Sequence, residues 1–148
     1  MDNTEVAKDL MRTFQQFKRV MKPPPMVRGL KPSEMGLLFH IERFREDESS
    51  GVKVSELSGH MHVTSPSVTQ LVKTLEDKGM VARRMDPDDR RSVLVSLTDK
   101  GEAVTRQAEQ GLQALLSGIV DHLGEEKSKQ LISLLDDVSQ YLSTANNP

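Results

Sequence analysis

The fold is decided by residues 64–101, which read TSPSVTQLVKTLEDKGMVARRMDPDDRRSVLVSLTDKG. The apolar positions at the start of this stretch have the i, i+3, i+4, i+7 spacing of a helix with one buried face: Val68, Leu71, Val72 and Leu75. We expect this helix to run from Ser65 to Lys78, with Ser65 as its N-cap. Pro66 suits its first turn, and Gly79 suits its C-terminal end.

A two-stranded hairpin should follow this helix. The runs Val81 to Met85 and Val93 to Leu97 have the composition of strands, and they flank residues 86–89, Asp-Pro-Asp-Asp. Asp followed by Pro suits the first two positions of a type I turn. Four arginines lie on or beside this hairpin: Arg83, Arg84, Arg90 and Arg91. Either they face a ligand, or the aspartates cancel them in a solvated turn, and counting charges does not separate the two.

Shorter elements precede the stretch. Val52 to Val54 is a candidate strand, and Ser55 is the expected cap of a brief helix. The turn that separates this helix from the next contains His62, and His is one of the non-Gly residues that tolerate a positive φ. A helix that is apolar nearly all round should begin near Pro32, behind a weak cap at Lys31.

The outermost helices each carry an apolar stripe. The expected stripes are Val6, Leu10, Phe14, Phe17 and Met21; Val104, Ala108, Leu112, Leu115, Ile119 and Leu123; and Leu131, Leu134, Leu135, Val138, Tyr141 and Leu142. We expect residues 23–25, all proline, to end the helix that carries the first stripe. Thr98 should cap the helix that carries the second stripe, and Gly124 should separate it from the last helix. The tail from Ser143 to Pro148 is expected to lack regular structure. So small a monomer cannot cover these stripes, which indicates a dimer interface.

The predicted fold is therefore mainly α with a small β-wing: a winged helix-turn-helix DNA-binding lobe plus a helical dimerisation lobe. We assign residues 31–98 to the DNA-binding lobe, and residues 1–30 and 99–148 to dimerisation. The formal net charge of the chain is −2, but residues 1–100 carry +2 and residues 101–148 carry −4. Any surface for nucleic acid therefore lies in the first two thirds of the chain.

Composition excludes several classes of protein. The chain has no cysteine, so a disulfide scaffold and a thiolate zinc site are excluded. It shows neither a secretory signal nor an apolar run of membrane-spanning length, and we expect a soluble cytoplasmic protein. We see no phosphate-binding loop and no nucleophile with a matched base, so we predict no enzyme and no cofactor. His60 and His62 lack a third ligand at a regular spacing, and we predict no metal site.

The helix of residues 65–78 has the side chains of a DNA reader. The candidate contacts are Ser65, Ser67, Thr69, Gln70 and Lys73. Gln pairs with adenine, Ser and Thr bond base edges or phosphates, and Lys suits guanine or phosphate. An arginine on a hairpin tip can enter a narrow minor groove, where the negative potential is strongest.

These strings resemble the MarR-type winged helix-turn-helix regulators. The matching segments are residues 64–72, 75–81, 83–84, 86–91 and 97–101, and the wing string followed by Leu-Thr-x-x-Gly is quite specific. The resemblance implies a triangular homodimer on double-stranded DNA, with its recognition helices in successive major grooves. It also implies that Arg91 enters the minor groove and that Asp89 orients it. Our wing candidates are Arg84, Asp89, Arg90 and Arg91, on a wing of residues 86–92. Lys31 and His62 depart from the family pattern without threatening the assignment.

The role that we predict is a repressor on a pseudo-palindromic operator. In the family, small aromatic or phenolic compounds bind between the outer helices and the DNA-binding lobe and weaken DNA affinity. The corresponding pocket candidates are Phe14, Phe17, Met35, Phe39 and His40, although Phe and Met at helical spacing are usually plain core. The alternative function is a helical dimeric interaction protein that does not bind DNA.

Overall fold

The computed structural model describes residues 2–21, 27 and 29–146. In this part of the chain the elements are α1 (Asn3–Val20), α2 (Pro32–Phe44), β1 (Val52–Lys53), α3 (Val54–Met61), α4 (Ser65–Asp77), β2 (Val81–Met85), β3 (Val93–Leu97), α5 (Asp99–Leu123) and α6 (Glu125–Ala145). The predicted fold class, mainly α with a small β-wing, is confirmed. The expected proline stop at residues 23–25 lies outside the described residues.

The sheet is antiparallel, with strand order β1-β3-β2. Val81 lies opposite Leu97 and Met85 opposite Val93, so the predicted hairpin has the expected bounds. The predicted strand before α3 also forms, and Val52 pairs with Val95. It is one residue shorter than expected because Val54 already begins α3.

The core lies among α2, α3, α4 and the sheet, and it is aliphatic. Its buried side chains are Leu30, Met35, Leu37, Leu38, Ile41, Val52, Leu57, Val68, Val72, Leu75, Met80, Val81, Val95 and Ala108. Through Val68, Val72 and Leu75, this core holds the buried side of α4. The helix that we predicted to read DNA therefore packs against the buried core.

Two predicted N-caps are wrong by one or two residues. The N-cap of α4 is Thr64, not Ser65, because Thr64 has extended backbone and its hydroxyl accepts the N–H of Ser67 at 3.3 Å. The N-cap of α3 is Lys53, not Ser55, and it provides no side-chain cap.

Three other predictions about helix ends are confirmed, although α4 itself ends at Asp77, one residue before the predicted Lys78. Lys31 caps α2 without a side-chain bond, and His62 adopts a left-handed conformation with φ 54° after α3. Gly79, with φ +74°, ends α4 in a Schellman motif, in which its N–H reaches the carbonyl of Glu76 at 2.9 Å.

The start of α5 is fastened to the segment between α4 and β2. The Thr98 hydroxyl donates to the carbonyl of Gly79 at 2.6 Å and accepts the N–H of Gly101 at 3.1 Å. Thr98 therefore caps α5 as predicted. A Cβ atom on Gly101 would lie 1.9 Å from the carbonyl oxygen of Met80, so only glycine fits at this point of the helix.

Ion pairs add to these attachments. The guanidinium of Arg45, after α2, bonds both carboxylate oxygens of Glu102 in the first turn of α5. The Arg45 guanidinium lowers the pKa of Glu102 below its ordinary value. The ammonium of Lys78 donates at 2.7 Å to Glu34, whose side chain is almost fully buried. Each pair connects residues far apart in sequence, and each fixes one end of a helix.

The chain divides into two compact units, Met1–Ala108 and Glu109–Pro148. In the first unit, α1 has no buried residue. In the second, Ser128 is the buried residue of α6, and apolar side chains along the helix are exposed. The expected irregular tail is wrong for residues 143–145, because α6 continues to Ala145 and Ser143 donates to the carbonyl of Ser139 at 2.9 Å. No helix in the described ranges is long and apolar enough to cross a membrane.

Candidate DNA interface

The polar row predicted on α4 lies on the exposed side of that helix. Ser65, Ser67, Thr69, Gln70 and Lys73 are all exposed. The opposite side is fully buried, through Val68, Val72 and Leu75. The structure therefore places these five predicted residues together on one rigid, core-packed helix.

The members of this row differ in how free their polar atoms are. The Thr69 hydroxyl donates to the carbonyl of Ser65 at 2.9 Å, and the Ser67 hydroxyl shares a 2.8 Å hydrogen bond with Thr64. Within the described ranges, the Gln70 amide and the Lys73 ammonium have no side-chain partner. Gln70 and Lys73 therefore retain their full capacity to bind an external ligand.

Three wing arginines are free as well. Arg84, Arg90 and Arg91 are exposed, and none of them forms an ion pair with another described residue. The wing aspartates make other contacts: Asp86 is 8% exposed and accepts the N–H of Asp88 at 2.9 Å. Among the described residues, no wing carboxylate therefore pairs directly with these three arginines.

The predicted type I turn is displaced along the wing. We expected it at residues 86–89, but the hydrogen-bonded turn is 89–92, where the N–H of Ser92 reaches the carbonyl of Asp89 at 2.9 Å. Asp86 instead folds its carboxylate onto the backbone two residues ahead, which uses it locally. Arg90 and Arg91 therefore occupy the two central positions of the turn, at the tip of the wing.

The Asp89 side chain shapes this turn by bonding to the backbone of the turn. Its carboxylate accepts the backbone N–H of Arg91 at 3.0 Å and the Ser92 hydroxyl at 3.1 Å. These hydrogen bonds, the one from Arg91 first, lower the pKa of Asp89 below its ordinary value. Among the described residues, no ion pair or side-chain hydrogen bond joins the Asp89 carboxylate to the Arg91 guanidinium. Any orienting role of Asp89 acts through the turn that carries Arg91.

Sequence reasoning missed the contact that joins the wing to α4. The guanidinium of Arg83 donates two hydrogen bonds to Glu76, of 3.1 and 2.9 Å. Arg83 lowers the pKa of Glu76, and Glu76 raises that of Arg83. A signal was available: side chains alternate along a strand, so Arg83 shares the helix-facing side of β2 with Val81, and Arg84 lies on the other.

The five predicted pocket residues do not share an enclosed site in the described protomer. Phe14 and Phe17 are exposed on α1 and contact each other edge-on, with ring centroids 6.5 Å apart. Met35 is part of the core, and Phe39 packs against it. His40 bonds the carbonyl of Gly36 at 2.7 Å. Among the described residues, no ring contact joins α1 to α2.

Comparisons with known proteins agree with this geometry. The sequence model of the MarR family matches residues 47–93. The chain is similar to two proteins of Bacillus subtilis (strain 168). The HTH-type transcriptional repressor MdtR is 26% identical over 141 residues, which are 95% of this chain and 88% of MdtR. The HTH-type transcriptional repressor YetL is 28% identical over 139 residues, 94% of this chain and 81% of YetL.

A solved structure extends the likeness to the whole fold. The chain is similar to Streptococcus pneumoniae FabT, whose structure was determined in complex with DNA, with a TM-score of 0.76. The identity is 24%, and the match covers 98% of this chain and 100% of that one. At this identity the likeness concerns the fold, and it includes the outer helices as well as the winged centre.

Proposed function

We propose that this chain, which belongs to the MarR family of winged helix-turn-helix transcriptional regulators, represses transcription as a homodimer bound to a pseudo-palindromic operator. One observation carries the proposal. A core-packed helix exposes an unpaired Gln70 and Lys73, and the neighbouring wing exposes three unpaired arginines. Two relatives, MdtR and YetL, are repressors by name, which supports this direction of control.

In the proposed complex, α4 lies in the major groove. Gln70 reads adenine through its free amide, while Lys73 and the hydroxyls of Ser65, Ser67 and Thr69 contact base edges or phosphates. We assign base reading to Gln70 because its amide has no hydrogen-bond partner among the described side chains, whereas the hydroxyls of Ser67 and Thr69 already bond to residues of α4 or its cap.

The wing is proposed to contact the minor groove. Arg91 enters it, and Arg84 and Arg90 contact the flanking backbone, because a narrow minor groove concentrates negative potential. Asp89 supports this contact by holding the turn that presents Arg91. The wing then contributes affinity with little base-edge readout, since the minor groove displays a degenerate code.

The second copy is proposed to pack on the outer helices. Residues 1–30 and 99–148 form this dimerisation lobe, and residues 31–98 the DNA-binding lobe. Apolar side chains of α1, α5 and α6 are exposed in the protomer, which is the state expected of a surface that a second copy covers. A two-fold dimer places its half-sites about 10 bp apart, one helical turn of DNA.

The effector is proposed to be a small aromatic acid or phenol. Exposed Phe14 and Phe17 on α1 offer an apolar surface, and Phe39 and His40 on α2 offer a partly buried one. Linkage requires that DNA and effector weaken each other's binding by the same factor. A thermal-shift screen of such acids, repeated with operator present, measures this factor; identical shifts with and without DNA contradict the proposal.

The proposed regulator acts on the chromosome, hence in the cytoplasm, and it carries out no catalysis. Recovery of bound sites from random DNA, followed by fluorescence anisotropy at fixed salt, tests it. We expect enrichment of a two-fold symmetric site and affinity that falls steeply as salt rises. Equal affinity for selected and random DNA would favour the alternative of an interaction protein without DNA specificity.

Gln70→Ala is the sharper test of the reading mode. We expect a loss of about 1–3 kcal/mol that is confined to the base pair it reads. Lys73→Ala is the matched variant on the same exposed face. A loss that is uniform over all sequences for Gln70→Ala assigns it to phosphate and removes the readout role.

A further inference from the structure

A cleft of about 350 Å³ lies between the start of α3, the first half of α4, and the wing. Its polar lining consists of three basic side chains and a set of hydroxyls, chiefly Lys53, Arg83, Arg91, Ser55, Ser65 and Thr69. No acidic residue is among the described residues that line it. The cleft is therefore a basic, hydroxyl-rich recess. Residues of β1, α3, α4, β2, β3 and the wing turn line it, and these come together only in the folded lobe.

Carboxylates outside the lining hold two of these cations. Glu76 fixes Arg83 through two hydrogen bonds, and Asp86 lies 4.0 Å from the ammonium of Lys53. At that distance the Lys53 ammonium and the Asp86 carboxylate attract each other but form no hydrogen bond. All three N–H donors of Lys53 thus remain available to a ligand in the cleft.

The position of the cleft indicates which anion it receives. In the proposed complex, α4 occupies a major groove and the wing the adjacent minor groove. One sugar–phosphate strand separates two adjacent grooves of a DNA duplex. That strand must pass between α4 and the wing, which is where the cleft lies.

We propose that this cleft seats one backbone phosphate of that strand, with Lys53 as its principal cation. The inference rests on the proposed DNA-binding function and adds a contact from the β1–α3 junction, which lies on neither the recognition helix nor the wing. Such a contact fixes the register of the lobe on the duplex and carries no base information.

Lys53→Gln tests the seat, with Lys129→Gln on α6 as a matched control that removes the same charge from an exposed site. Anisotropy is measured over a series of salt concentrations, on the selected operator and on scrambled DNA. We expect Lys53→Gln to weaken binding to both DNAs by the same factor, roughly tenfold. The slope of log K against log salt should fall by about 2 per dimer, one phosphate contact for each subunit. Lys129→Gln should leave affinity and slope unchanged.

Asp86→Asn separates a phosphate contact from a structural role of Lys53. Asn keeps the oxygen that accepts the N–H of Asp88 but removes the charge that faces Lys53. If Lys53 served only to hold the wing through Asp86, both variants would weaken binding alike. The seat predicts the opposite sign: Asp86→Asn binds DNA as tightly as the wild type or more tightly, because a negative charge near phosphate is gone.

These measurements distinguish failure of the proposed DNA-binding function from failure of the phosphate seat. Wild-type protein that fails to prefer the selected site overturns the proposed function itself. Wild-type protein that prefers it, together with a Lys53→Gln variant that keeps the full salt slope, overturns the seat alone. A Lys53→Gln variant that changes base preference instead of the slope also overturns it, since a phosphate contact cannot select bases.

Discussion

The winged centre of the chain, residues 30–108, and its outer helices (α1, α5 beyond Ala108, and α6) use the same kind of side chain in opposite ways. Every buried hydrophobic residue that the structure describes lies in the centre, from Leu30 to Ala108. Of the described large hydrophobic residues that are exposed, all but five lie in the outer helices, and one of the five, Met21, is the C-cap of α1. The four in the centre are Phe44, Val63, Met85 and Val93.

This contrast shows that an apolar stripe does not by itself specify its partner. The centre buries its stripes against its own strands and helices, so its stability belongs to the single protomer. The outer helices leave theirs exposed, so under our proposal their stability belongs to the dimer and depends on concentration. Substitutions in the two regions should therefore differ in kind as well as in size.

The largest effect is expected from truncation of a central core residue. Leu57 is 0% exposed, and Leu57→Ala should lower the free energy of unfolding by about 2–5 kcal/mol, because it removes buried methyl groups and leaves a cavity. Leu134 in α6 is 62% exposed, and Leu134→Ala is the matched variant. Urea unfolding at several protein concentrations measures both. A loss of stability at Leu134 as large as at Leu57, and independent of protein concentration, would contradict the difference between the two regions.

A charge on the outer helices should break the dimer and spare the centre. Leu135 is 54% exposed in the protomer, and Leu135→Glu places a carboxylate in the proposed interface. We expect the dimer dissociation constant to rise at least a hundredfold, about 2.7 kcal/mol, because an unpaired charge resists burial. Ser133→Glu adds the same charge on the opposite side of α6. Sedimentation that shows both variants equally dimeric would contradict an interface at Leu135.

Sequence periodicity predicted the helices, the hairpin and the dimer stripes because each depends on local pattern. It misplaced the cap of α4 by one residue, since Thr64 and Ser65 are both good caps and only the backbone conformation separates them. It misplaced the wing turn because the Asp86 carboxylate accepts the N–H of Asp88, while the hydrogen-bonded backbone turn forms at residues 89–92. Strand alternation could have placed Arg83 on the helix-facing side of β2, but its pairing with Glu76 and the cleft at Lys53 depend on how separate elements pack.

A smaller effect is expected from substitution of two glycines of α5, one inside the centre and one beyond it. Gly101→Ala forces a Cβ atom into the backbone of Met80, and overpacking of this kind should cost about 1–3 kcal/mol. Gly118, on the same helix beyond Ala108, has no described atom within 4 Å of such a Cβ. Gly118→Ala should therefore stabilise the helix by about 0.5–1 kcal/mol. Thermal unfolding of both variants measures the contrast, and equal shifts in the two melting temperatures would refute it.

The smallest difference concerns ion pairs. In the centre, Arg45 and Glu102 keep 9% and 24% of their side chains exposed, whereas Lys129 and Glu125 on α6 keep 73% and 82%. Glu102→Gln should cost about 1–2 kcal/mol near pH 7, since it leaves a largely buried guanidinium without its carboxylate. Glu125→Gln should cost less than about 0.5 kcal/mol, because water already screens the pair.

The contribution of the Arg45–Glu102 pair to stability should also depend on pH. The hydrogen bond from Arg45 lowers the pKa of Glu102 in the folded state, so the pair stabilises the protein fully above the ordinary carboxyl pKa. Its contribution is lost as the pH falls from that ordinary value through the lowered one, where the folded carboxylate also takes up its proton. Urea unfolding of wild type and Glu102→Gln should therefore converge in acid. A gap that stays constant down to pH 3 would mean that Gln disturbs packing around Arg45, and that the charge pair itself contributes nothing to the centre.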